Sequence, residues 1–105
     1  MNNNSKNEIT LVIGDTLDIT FELKSEYQIK EAYFVCSQLN VKQKLERFVS
    51  RDDWRLLVDN TEYFQSGIFD YDIKVIFIDD TLYTASYRSL FKVLQNYNNL
   101  YRGYK

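Results

Sequence analysis

Apolar and polar residues alternate with a period of two along most of the chain. From Thr16 to Lys24, Leu17, Ile19, Phe21 and Leu23 fall on one face and Asp18, Thr20, Glu22 and Lys24 on the other. That is the pattern of an antiparallel strand with one face buried. Ahead of it, Ile9 to Ile13 is a short β-branched strand stopped by the turn pair Gly14-Asp15. Ser25 to Gln28 is a polar break, and Ile29 to Cys36 alternates again with Ala32, Phe34 and Cys36 together. Residues 38–49 fit either a charged edge strand or a short helix, because Val41, Leu45 and Phe48 also stand at i, i+4 and i+7. The charges favour a strand, since they guard a sheet edge against pairing with other chains.

Trp54, Leu56 and Val58 alternate before the punctuation at Asp59-Asn60-Thr61. After Gly67, Phe69, Tyr71, Ile73, Val75 and Phe77 share one face, and Asp79-Asp80 turns the chain into a returning strand from Thr81. Ser89 to Leu94 is a last strand or the end of that one. About seven short strands at turn spacings of roughly 8–12 residues predict an all-β, immunoglobulin-like antiparallel sandwich. The expected core is Leu17, Ile19, Phe21, Phe34, Trp54, Phe69, Tyr71, Ile73 and Val75. The chain divides into a polar arm at 1–8, the sandwich at 9–94 and a Tyr/Asn-rich tail at 95–105.

Composition narrows the chemistry. With 105 residues there is room for one domain. Histidine is absent, which removes His-based triads, His-ligated zinc and imidazole pH switches. A single cysteine excludes an internal disulfide, and Cys36 shares a face with Ala32 and Phe34, so a buried, inert thiol is expected. Asp70 with Asp72, and Asp79 with Asp80, lack the spacing of a calcium loop and are read as solvent-face and turn residues. The basic run Lys42, Lys44, Arg47, Arg51 and Arg55 is interrupted by acids, and net charge is -2, which disfavours nucleic acid as a partner. Three glycines leave no phosphate-binding loop. Neither catalysis nor a cofactor or metal is expected. No apolar run approaches the roughly 20 residues that span a bilayer, and no export signal precedes the first strand. A product kept in the cytoplasm, or released by lysis or within a particle, is expected.

Four segments resemble a known type. Gly14 to Lys24 resembles the opening strand of small Ig-like domains in tailed-bacteriophage virion proteins, and Ser66 to Val75 resembles their strand built on an aromatic-Asp-hydrophobic step. Asp80 to Thr84 and Leu90 to Val93 resemble the closing hairpin, with Arg88-Ser89 where a glycine-containing step is usual. The Gly67 stretch is also similar to immunoglobulin strand F, with Tyr71 at the place of the second disulfide cysteine. The resemblance implies a non-enzymatic virion component, either a tail or baseplate adaptor or a capsid decoration protein. It would be synthesised in the bacterial cytoplasm and held by a larger capsid or tail subunit.

The tail supplies candidate partner-binding residues. Tyr97, Leu100, Tyr101 and Tyr104 fit one helical face, and tyrosine is enriched where proteins meet. With the edge around Val41 and Leu45, these residues are expected to dock on the larger subunit. An alternative is a carbohydrate-binding module using Trp54, Tyr33, Tyr83 and Tyr87 on surface glycans.

Overall fold

A computed structural model describes residues 8–48 and 52–95. Its strands are β1 (Ile9–Val12), β2 (Leu17–Glu22), β3 (Ile29–Cys36), β4 (Val41–Lys44), β5 (Glu46–Arg47), β6 (Asp53–Val58), β7 (Gly67–Phe77) and β8 (Leu82–Leu94). Among the described residues helix is limited to a 3-10 turn at Ser37–Leu39, closed by Asn40 in the left-handed region. The segment that fitted strand or helix is therefore strand, at β4 and β5.

The strands form two sheets, ordered β1-β8-β7-β3-β4 and β2-β6-β5. Neighbours are antiparallel except β1 and β8, which run parallel from Ile9 opposite Phe91 to Val12 opposite Leu94. The chain crosses between sheets after β1, β2, β4 and β6, which is the connectivity of an immunoglobulin-like sandwich. All-β is the fold class that the alternation predicts.

Aromatic side chains join the two sheets: Phe21 of β2 meets Tyr71 of β7 with ring centres 6.3 Å apart. Phe34 of β3 stacks on Tyr71 of β7 with ring centres 5.1 Å apart, and Phe91 of β8 meets Phe34 edge-on at 5.6 Å. Phe64, from the loop before β7, presents its ring to Phe91 at 6.3 Å. Leu17, Trp54, Ile73 and Val75 are buried around this cluster, as expected. Ile19, Phe21 and Phe69 are only partly buried. For Ile19 and Phe21 the reason is position: β2 is an edge strand, so its inward face is open along one side. Phe69 lies near the start of β7, where its ring covers Gly67. A Cβ added at Gly67 would meet the Phe69 Cζ at 3.0 Å.

Val41 and Leu45 correct the expectation of a docking edge. Both side chains are buried, at 9% and 3% exposure. Leu45 lies between β4 and β5, where the chain steps from one sheet to the other, and its N–H donates to the Ala32 carbonyl at 2.8 Å. The step turns Leu45 into the interior, and Val41, opposite Cys36, also faces inward. Only the charged residues of this edge face out. Lys44 contacts Glu31 at 3.4 Å and Lys42 covers the Tyr33 ring at 4.9 Å.

Tyr71 makes the core sensitive to alkali. Burial pushes its phenol up to about 12, while a hydrogen bond with Ser89 works in the opposite direction. The fold holds the neutral form, so this contribution is intact below the unfolded value of about 10. It is lost as pH rises through the folded value of about 12. Melting midpoints followed by circular dichroism should fall across that interval, and Tyr71→Phe should flatten that part of the curve. An unchanged slope in the variant would mean that another group governs alkaline unfolding.

Candidate functional site

An aromatic groove lies where the β2–β3 loop meets the β7–β8 turn. Its cavity is about 420 Å³, lined on one side by residues 22–27 and on the other by Val75, Phe77, Tyr83 and Ala85. Two further hollows, of about 250 and 610 Å³, adjoin it and share Glu26 and Tyr27. The volumes of about 420 and 610 Å³ fall in the range that takes a small ligand or a few side chains.

Three rings build the groove. Tyr27 meets Phe77 edge-on at 5.9 Å, and Phe77 meets Tyr83 at 6.0 Å. Tyr27 is 69% exposed although it is large and aromatic. The loops that carry these rings are tied together. The Ile78 N–H donates to the Gln28 carbonyl at 3.1 Å, and the Tyr27 N–H donates to Ser25 Oγ at 3.0 Å. In the turn, Asp79 Oδ1 accepts the Thr81 N–H and hydroxyl, while Lys30 Nζ reaches Asp80 at 2.8 Å. The Thr81 bonds hold the Asp79 carboxyl below its usual range, and the Asp80 carboxylate raises the Lys30 ammonium. The site is thus shaped before anything binds.

The groove continues into an open stretch of sheet. Among the described residues β1 covers β8 only at Phe91–Leu94, so Leu82 to Leu90 has no strand on its outer side. This stretch exposes Leu82, Tyr83 and Tyr87, and Ile78 is exposed beside it in the turn. Arg88 interrupts the strand with a φ of 52°. Glycine takes that left-handed backbone without the steric penalty of a side chain. Here Asp72 Oδ1 accepts the Arg88 N–H at 2.7 Å, and Asp70 faces the guanidinium at 3.4 Å. The two aspartates read as a solvent face therefore hold a bulge that usually falls to glycine.

Other candidate chemistry is structural. Cys36 is buried and its thiol is pushed up by that burial, so it is a poor nucleophile. Trp54 is buried, with the Arg47 guanidinium 5.6 Å from its ring centre, and presents no free face to a sugar. Tyr33 donates its hydroxyl to Glu31 at 2.8 Å beneath Lys42, which leaves Tyr83 and Tyr87 as the accessible rings of that set. Arg55 forms a two-pronged pair with Asp18 at 2.9 Å, which lowers the Asp18 carboxyl. Among the described residues no group of three acidic, His or Cys side chains is placed to hold a metal ion. Tyr97, Leu100, Tyr101, Tyr104 and Arg51 lie outside the described residues. Tyr27 and Ile78 are the site residues that the alternation passes over. Their signal is large apolar side chains inside polar loop segments.

Neither the models of known protein families nor the curated proteins give a match to this chain. Among solved structures it is similar to one described as "Structures of Clostridium thermocellum CbhA fibronectin(III)-like modules". The TM-score is 0.60 at 10% identity, covering 83% of this chain and 86% of that one. The likeness is one of fold. A fibronectin III-like module is an Ig-like sandwich, in agreement with the strand order above.

Proposed function

We propose that the chain is a non-enzymatic interaction module of a bacteriophage virion, carried on a larger capsid or tail/baseplate subunit and made in the host cytoplasm. The observation that carries the reading is the run of exposed apolar side chains from Tyr27 and Ile78 through Leu82 and Tyr83 to Tyr87. It joins a shaped groove to a strand edge that is unpaired among the described residues. Such an edge offers main-chain hydrogen bonds to an added strand, and the aromatic side chains offer buried area. The absence of histidine and the buried thiol support a binding role over catalysis. The resemblance of Gly14–Lys24 and Ser66–Val75 to virion Ig-like domains supplies the particle.

The test is to infect host cells producing a tagged chain, purify particles on a density gradient and quantify the chain by mass spectrometry. It should travel with the particles at a fixed ratio to a larger structural protein. Leu82→Ser combined with Tyr87→Ser should release it while leaving the melting midpoint within a few degrees. A chain that stays entirely in the free protein fraction contradicts the reading. A second reading, a carbohydrate-binding module, draws on the three rings and Glu26 of the groove, since aromatic faces and carboxylates suit the C–H and hydroxyl groups of a sugar. Retention on a glycan array, abolished by Tyr83→Ser, would favour it.

A further inference from the structure

The loop-end groove and the segment that follows β8 are chemical complements. Glu26 borders all three hollows and Asp79 borders one of them. Among the described residues neither carboxylate has a cation within ion-pair distance. Residues 96–105 contain three tyrosines, a leucine, Arg102 and Lys105, and no acid. The groove is aromatic with an excess of carboxylates, Glu22, Glu26, Asp52 and Asp79 against Lys24 and Arg47; the other segment is aromatic and basic.

Reach decides between the chain's own groove and a neighbour's. β8 starts beside the groove and carries the chain away from it to Leu94. From Leu94 back to Ala85, the nearest groove residue on that strand, the distance is about 30 Å at a strand rise of ~3.3 Å per residue. Fully extended, Leu100 reaches only about 20 Å past Leu94. Tyr97 and Leu100 therefore fall short of the groove of their own domain, and the whole segment can seat only in a neighbour's.

We infer that the segment Tyr97–Lys105 of one copy seats in the loop-end groove of a second copy. Its tyrosines and Leu100 pack against Tyr27, Phe77 and Tyr83, and its cations face Glu26 and Asp79. This rests on the interaction-module reading and names the partner at the same site. Because the contact joins two different surfaces, it closes by reciprocal exchange into a dimer or propagates head to tail into rings and open chains. Copies linked in this way present their open β8 stretches in series, so that weak contacts to a larger subunit add through avidity.

Sedimentation velocity on the full chain, from micromolar to millimolar concentration, tests the proposal. Association into dimers or longer assemblies is expected, suppressed by salt and by a competing synthetic peptide of residues 95–105. Glu26→Lys, or Arg102→Glu in the tail, should each weaken association about tenfold. Combining both in one chain should restore it, because the charges are exchanged. Tyr27→Ser should weaken association with unchanged circular dichroism, since that ring is largely exposed.

A chain that stays monomeric throughout overturns the inference. So does an assembly that ignores the peptide and is broken instead by Thr84→Lys on β8. The two readings fail separately. Copurification with particles by a chain that is monomeric alone removes the head-to-tail contact and leaves the module. Head-to-tail assembly by a chain that never joins particles does the reverse.

Discussion

Replacing Phe34 with alanine is expected to lower stability by about 3–5 kcal/mol, the range for removing a fully buried phenylalanine. The ring is wholly buried and touches Tyr71 and Phe91 on two different strands. It stands on β3, between β7 and β4, so the vacated space has rigid walls and cannot collapse. Natural domains hold about 5–15 kcal/mol in all, so the loss consumes a large share. Phe69→Ala removes the same ring from a partly buried position and should cost clearly less. Urea midpoints of the two variants make the comparison. Equal losses would show that the Phe34–Tyr71–Phe91 cluster is not the centre of the core.

Thr61→Val is expected to cost about 2–3 kcal/mol although it conserves shape, because it strands backbone groups without a partner. Thr61 is fully buried in the loop between β6 and β7. Its Oγ1 accepts the Gly14 N–H at 2.9 Å, and its hydroxyl donates to the Asp15 carbonyl at 2.6 Å. One side chain thereby bolts the β1–β2 turn to the opposite part of the chain. Thr61→Ser keeps the hydroxyl and should lose less than the valine variant. Amide exchange at Gly14 should accelerate in Thr61→Val alone. If valine is as stable as threonine there, the turn is held by something other than this hydroxyl.

Strands that bury one face were the legible part of the chain. Ile29 to Cys36 forms a strand over the predicted residues, and Thr16 to Lys24 contains β2. Period-two alternation states which residues share a face, but not which strand lies beside them. That missing term is why Ile19 and Phe21 are less buried than predicted, and why Val41 and Leu45 point inward at an edge. Thr61 could not be singled out, since a threonine among Asp, Asn and Glu carries no periodic signal. The groove was hidden for a related reason. Tyr27 and Ile78 sit in loops, and only the fold brings Tyr27 beside Phe77 and Tyr83. Tyr83 and Tyr87 were legible as surface rings because they follow a turn on a strand that had already shown its buried face.

The parallel pairing of β1 with β8 has a consequence in time. The first described strand finds its place only against the last described one, so the five-stranded sheet cannot close until β8 has been made. Closing so long a loop costs entropy before any contact is gained, and sandwiches dominated by distant pairings fold in about milliseconds to seconds. Until β8 has left the ribosome, Ile9 and Leu11, both buried at the end, have no strand to pair with.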